Sequence, residues 1–249
     1  MADRSKMEAH LEHLLDTTRF RDYGPNGLQV EGKPEVHKII SGVTASRALI
    51  EASIAAGADA IVVHHGLFWK GQDGRIAGWL KQRLQLLLAH DISLFAYHLP
   101  LDAHPEFGNN AGFGRRLGVV ADGHFGEQDL GCIGALAQPL DLARLSARVE
   151  QQMARAPVVV AGDGREIRRI AWCTGGAQGY FDAAIRAGAD VFLTGEISEP
   201  QAHLARETGV AFIACGHHAS ERDGAAALGA HLAQHFDLEH AFIDIANPA

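Results

Sequence analysis

Histidine sets this chain apart: 15 histidines accompany 22 lysines and arginines, and imidazole is both the commonest metal ligand and the usual proton carrier near neutral pH. Three segments combine histidines with possible partners. His64 and His65 are adjacent, preceded by Ile61-Val62-Val63 and followed by Gly66. His98 and Asp102 share the stretch Tyr97-His98-Leu99-Pro100-Leu101-Asp102-Ala103-His104, and His217, His218 and Glu221 fall in a third stretch, GHHASER. A helix opening near Gly216 sets His217 and Glu221 on one face, one turn apart, the spacing that offers two ligands to a common ion. Pro100 prevents a regular helix after Tyr97 and favours an extended turn that could carry Asp102 inward.

Each segment has an ordinary reading when taken alone. A His-His pair can include one buried, hydrogen-bonded ring, a one-turn His/Glu pair is common on solvated helices, and Asp102 can be a turn or cap residue. His218 and His104 are expected in such local roles. Together, however, His64, His65, Asp102, His217 and Glu221 supply more nitrogen and oxygen donors than one tetrahedral ion needs, and Glu221 has two oxygens able to bridge. That favours two divalent ions, of Zn, Mn, Fe, Co or Ni, which this donor set does not distinguish. A pair of ions about 3.5–4 Å apart lowers the pKa of a bound water and clamps the oxygens of a substrate. His98 is a candidate ligand, a hydrogen-bonding partner of a ligand, or the proton carrier.

These segments need elements to position them, and the chain supplies two similar sets. Residues 39–65, IISGVTASRALIEASIAAGADAIVVHH, resemble residues 170–196, IAWCTGGAQGYFDAAIRAGADVFLTGE, with GAD at 57 and again at 188. Both predict strand, glycine-bearing turn, Ala-rich helix and short apolar strand, a βαβ unit. Upstream, GLQVEGKPEVHKII and VVVAGDGREIRRIA each predict two strands around a tight polar turn, and Asp163-Gly164 is a hairpin signal. Downstream, helices over about 77–90 and 199–208 lead into strands that end at His98 and His217. Met7, Leu11, Leu14 and Leu15 predict an opening helix, and a strand over 130–137 and a helix over 142–153, capped by Asp141, are expected between the copies.

The expected fold is therefore α/β: two related lobes with mixed, mostly parallel sheets arising from internal duplication. The first lobe covers 1–125, completed by the C-terminal segment 236–249, and the second covers 126–235. Ligands in open α/β sheets gather beyond the carboxyl ends of strands, where all three histidine segments fall.

Composition narrows the function classes. With 47% hydrophobic and 21% charged residues the chain can form genuine cores. No apolar run approaches the roughly 20 residues of a membrane span, and the first residues lack a secretory pattern, so a cytoplasmic protein without a membrane partner is expected. A net charge of −8 disfavours non-specific nucleic-acid binding. Cys132, Cys173 and Cys215 form no CxxC pair and are odd in number, which argues against a disulfide framework and a zinc-thiolate site. There is no GxxxxGK[ST] phosphate loop, so a nucleotide would need other contacts, for which Lys70, Arg75 and Arg222 are candidates, each with a plain surface role as its alternative.

The segments NGLQVEG, GVTAS, GADAIVVHHGLFWKG, HLPLDAHPEFGNN, TGEISE and GHHASER, spread over nearly the whole chain, resemble the Nif-three-like dinuclear metal-centre family, also called type 2 GTP cyclohydrolase I, and especially its bacterial YbgI subgroup. The resemblance implies a Nif-three-like fold with two ions between the lobes, held by His64, His65, Asp102, His217 and Glu221, the last bridging. It also implies a homohexamer, a ring of two trimers. The family name implies a metal-dependent hydrolase opening the imidazole ring of GTP or a related small molecule, with His98 as candidate proton carrier and Glu196 as a possible substrate contact. The rival class is a metallochaperone, cofactor-assembly factor or interaction protein without turnover of its own.

Overall fold

The computed structural model describes residues 1–249. It divides into two compact units, Met1–Leu101 with Gly224–Ala246, and Asp102–Asp223 with Asn247–Ala249. No helix is long and apolar enough to cross a membrane.

The first unit runs through strand β1 (Ala2–Asp3), helix α1 (Arg4–Leu15), strands β2 (Gly27–Val30), β3 (Glu35–Val36) and β4 (Lys38–Thr44), helix α2 (Arg47–Ala55), strand β5 (Ala60–His65), helix α3 (Gly78–Ala89) and strand β6 (Ser93–Ala96). Helix starts follow the capping chemistry of the sequence: Asp3 accepts from Lys6 N–H at α1 and Ser46 from Leu49 N–H at α2. Strands β4, β5 and β6 are parallel neighbours, each joined to the next by a helix. Their side chains alternate between two apolar layers. Ile40, Ile61 and Leu94 face α2 and α3, whereas Ile39, Val62 and Phe95 pack with Met7 and Leu11 of α1. A sheet covered on both faces explains the near-continuous apolar runs.

A short helix α4 (Leu99–Ala103) leads into helix α5 (Asn109–Leu117), strands β7 (Gly123–Phe125) and β8 (Gly131–Leu140), helix α6 (Leu142–Met153), strands β9 (Val158–Val160) and β10 (Ile167–Trp172), helix α7 (Phe181–Arg186), strand β11 (Val191–Thr194), helix α8 (Glu199–Thr208), strand β12 (Ala211–Ala214) and helix α9 (His217–Ser220). Helix α10 (Arg222–Phe236) and strand β13 (Glu239–Phe242) then return the chain to the first unit, where β13 pairs parallel with β4. Residues 102–125, placed with the first lobe on sequence, pack with the second unit because Phe113, Leu117 and Val119 join the core of Leu145, Ile170 and Leu193.

Besides the antiparallel pair β1-β3, the two larger sheets are both mixed. The first has the order β13-β4-β5-β6-β2, with only β2 antiparallel, and the second has β7-β8-β10-β11-β12-β9. In the second sheet only β10-β11 and β11-β12 are parallel, so "mostly parallel" describes the first sheet and not the second. Only those two pairs are joined by a helical crossover, which parallel neighbours require.

Two local expectations are corrected. The predicted hairpins do not form: β2 pairs with β6 and β9 pairs with β12, each antiparallel at the far edge of its sheet. In both copies the chain instead passes close over the turn entering the last parallel strand. Lys33 N–H donates to Asp91 O at 2.9 Å and Asp163 N–H to Gly209 O at 3.0 Å. A Cβ at the preceding Gly32 or Gly162 would stand 2.4 Å from Asp91 O or 2.0 Å from Gly209 O, so these glycines permit the crossing. The second correction is Pro100, which does not hold Leu99–Ala103 extended. That segment is α4, with Pro100 in its first turn, where a missing N–H costs no helical bond.

Candidate metal centre

In the first unit, His64 and His65 are the last residues of β5, and His98 follows β6 by two residues. The strand ends bring the three rings together, with centroids 4.5 Å apart for His64 and His65, 5.0 Å for His64 and His98, and 5.6 Å for His65 and His98. One ring nitrogen from each lies within 4.8 Å of the other two, a spacing one ion could span after small ring rotations.

Each ring is oriented through Nδ1. The buried His64 donates from Nδ1 to Tyr97 O at 3.0 Å, which leaves the lone pair on Nε2. His65 Nδ1 lies 3.1 Å from Thr44 Oγ1. His98 Nδ1 donates to Asp22 Oδ1 at 2.7 Å, while the His98 N–H donates to Asn26 Oδ1 at 2.7 Å. Asp22 also accepts from Tyr23 N–H, Leu99 N–H and Asn26 Nδ2. Burial opposes a charge on Asp22, but the hydrogen bond and charge of His98, aided by Asn26 and Tyr23, outweigh it and hold the carboxyl at about 2. The Trp69 ring stands edge-on to His98, 5.1 Å between centroids.

In the second unit, β11 ends just before Gly195 and Glu196, and β12 leads through Gly216 into α9. His217 lies between two carboxylates, with Nδ1 2.7 Å from Glu196 Oε1 and Nε2 3.2 Å from Glu221 Oε2. Burial works against its charge, yet Glu221 and then Glu196 prevail and push the imidazolium up to about 9. Helix α9 is a single turn, and Glu221 is its C-cap. Ser220 Oγ accepts from Gly175 N–H at 3.0 Å and donates to His217 O at 2.8 Å, which fastens that turn to the loop after β10. Gly175 has φ +70°, and a Cβ there would lie 2.0 Å from Glu221 Oε1 and 3.2 Å from His217 Nε2. Only glycine leaves this space open. The buried Asp102 accepts from Asn109 Nδ2 at 2.9 Å and lies 3.5 Å from Thr174 Oγ1.

Imidazole nitrogens fixed by hydrogen bonds and buried carboxylates suit a divalent transition metal, so the donor chemistry fits the ions expected from sequence. The cysteines do not contribute: all three are buried and free, and burial pushes the Cys132 and Cys215 thiols up to about 12.

Other candidates have local partners. His104 Nδ1 accepts from the N–H groups of Glu106 and Phe107, and its ring stacks on Phe107. His218 N–H bonds to Ala249 O. Arg75 pairs with Asp73, and Arg222 donates to Met153 O. Glu196, expected as a possible substrate contact, orients His217. Sequence reasoning missed Asp22, whose distance of 76 residues from His98 leaves no spacing signal. Asn26 and Asn109 were discoverable, since both lie in segments that carry the resemblance.

The family whose model matches residues 2–248 is described as Duf34/NIF3 (NGG1p interacting factor 3). A Pseudomonas aeruginosa protein named GTP cyclohydrolase 1 type 2 homolog is 51% identical over 248 residues, 98% of each chain. A Neisseria meningitidis serogroup B protein of the same name is 53% identical over 235 residues, 94% of each chain. Among solved structures, one described as protein ybgI, unknown function, matches with a TM-score of 0.96 and 46% identity over 100% of both chains. With the family model spanning nearly every residue and these relatives matched almost end to end, the chain belongs to the Duf34/NIF3 family.

Proposed function

We propose that the protein is a dinuclear metal hydrolase acting on a nucleotide or related heterocycle, in which His64, His65, Asp102, His217 and Glu221 would hold two divalent ions. The observation that carries the hydrolase reading is the buried Asp22 carboxylate on Nδ1 of His98, beside His64 and His65. The carboxylate fixes the His98 tautomer with its proton on Nδ1, which is what a proton carrier working through Nε2 needs.

When bound, the ions would acidify a water and offset the negative charge that develops on a substrate oxygen. The protein's own side chains do the rest. Asp22 commits His98 Nδ1, so Nε2 takes a proton from the attacking water and returns it to the leaving nitrogen. Tyr97 O holds His64 with Nε2 as the donor nitrogen, and Glu196 does the corresponding work for His217 through Nδ1. Trp69 packs edge-on against one side of His98. The relatives' name makes GTP the first substrate to assay, and the family resemblance supports a homohexameric assembly.

The test is metal analysis of protein purified without added metal, followed by a hydrolysis screen with GTP and related heterocycles, using Glu221→Ala as the control. Two ions per chain are expected, with most metal and turnover lost in the variant. Equal turnover by both proteins excludes metal-dependent hydrolysis of that substrate. Ions that exchange freely without turnover of any compound identify a metallochaperone or assembly protein instead. Light scattering measures the assembly.

A further inference from the structure

Helices α1 and α10 bring a separate set of three imidazoles together. On α1 the residues Met7, Leu11 and Leu15 are buried, and His10 sits half-buried beside that stripe. On α10 Leu228 and Leu232 enter the same apolar cluster, and His231 and His235, four apart, project from one flank. His10 Nε2 lies 2.8 Å from His231 Nε2. The His10 ring stacks on His235 with centroids 4.1 Å apart and on His231 at 5.1 Å. One ring nitrogen from each residue lies within 4.8 Å of the others, and His235 is exposed. Phe236 closes one side, edge-on to His10 at 5.5 Å and to His235 at 4.6 Å.

Two features of this cluster point to an ion. His231-Leu232-Ala233-Gln234-His235 carries the i,i+4 histidine spacing by which one helix face chelates zinc. The third ring, from His10, is 221 residues away in sequence and arrives through the packing of two helices that share a core. Three histidines with an open fourth position make a tetrahedral site, and a donor set without oxygen selects against magnesium and calcium.

We propose that His10, His231 and His235 form an additional metal site, a surface clamp for a late first-row divalent ion of the zinc class that fastens α1 to α10. The clamp shares no residue with the centre described above, and its ion binds only where the two helices are packed. Binding to the folded state alone raises stability by mass action.

The full-length protein, stripped of metal, is titrated with Zn2+ by calorimetry and with Co2+ by visible absorption, alongside His235→Gln, His10→Gln and Glu221→Ala. Wild type is expected to bind one more ion than either histidine variant. Zn2+ at a hundredfold excess over Kd is expected to raise the unfolding midpoint by roughly 5 °C through this site. That increment disappears in His235→Gln and persists in Glu221→Ala, while Mg2+ produces none. His235 is exposed, so His235→Gln should keep its far-ultraviolet circular dichroism, which separates lost binding from lost fold. Equal stoichiometry and equal midpoint shifts in wild type and His235→Gln overturn the proposal. Glu221→Ala should lose the ions of the centre and keep the clamp's ion, whereas His235→Gln should lose only the clamp's ion, so the two readings fail separately.

Discussion

Asp59 and Asp190 make the same hydrogen bonds to backbone groups in the two units. Oδ2 of Asp59 accepts from His37 and Lys38 N–H at 2.9 and 3.2 Å, and Oδ2 of Asp190 accepts from Arg168 and Arg169 N–H at 2.8 and 2.9 Å. Their backbones agree as well: Asp59 N–H donates to Lys38 O and Asp190 N–H to Arg169 O, both at 2.9 Å, while their carbonyls accept from Ser93 and Ala211 N–H, both at 3.0 Å. One aspartate thus ties the starts of three adjacent strands, and the repeated GAD triplet is the sequence trace of that knot.

Breaking the knot destabilises the unit that contains it. Asp59→Asn is expected to cost about 1.5–3 kcal/mol, the range for hydrogen bonds to a charged group, measured by denaturant unfolding. The effect should depend on pH. Burial opposes the charge of Asp59, but the His37 N–H, Lys33 and Lys38 N–H outweigh it and lower its pKa. A lowered folded-state pKa gives stability that is present above the unfolded value near 3.8 and lost as pH falls through the folded value. The difference between wild type and Asp59→Asn should shrink in acid, and a constant difference down to complete protonation would refute the ionic account.

Gly175 and Gly188 separate steric exclusion from backbone strain. Both have positive φ, but a Cβ at Gly188 meets nothing within 4 Å, whereas one at Gly175 collides with Glu221. Each change to Ala should cost about 1–3 kcal/mol in strain. At the proposed metal centre only Gly175→Ala should lower metal content by moving Glu221, and equal metal content in the two variants would remove Gly175 from that proposal.

For the proposed hydrolase, His98→Gln is expected to lower kcat by about 10²–10⁴-fold, as for other general acid–base residues, while metal content stays the same. Asp22→Asn, which removes the carboxylate from His98 Nδ1, should cost about 10–100-fold. A variant at His98 that turns over like wild type would show that the Asp22 pair is structural.

Tyr97 is fully buried, and its hydroxyl has no hydrogen-bond partner. Burial, followed by the charges of Glu12 and Glu8, pushes its pKa well up, so the hydroxyl stays protonated. An unsatisfied buried hydroxyl costs about 1–3 kcal/mol, so Tyr97→Phe should be neutral or stabilising by about 1 kcal/mol. A clear loss of stability by thermal unfolding would reveal a partner such as a buried water.

Much of the framework was legible because it is local. The capping of α6 by Asp141, the opening helix α1, the helices α3 and α8, and the two βαβ units follow from periodicity and repeated motifs within short windows. The hairpins were misjudged for the same reason. Asp163-Gly164 is a valid turn signal, but nothing within that window says that β9 will pair with β12 rather than with β10.

The sequence alone determined which donors the chain owns, the duplication that places them at strand ends, and the family resemblance. Those depend on residue identity and near-neighbour spacing, which the covalent chain sets. Tertiary structure alone decided which side chains serve them: Asp22 on His98, Tyr97 O on His64, Glu196 on His217, and His10 against His231 and His235. Such pairings join residues from tens to more than two hundred positions apart, and they exist only after packed helices and paired strands have brought distant segments within hydrogen-bonding reach.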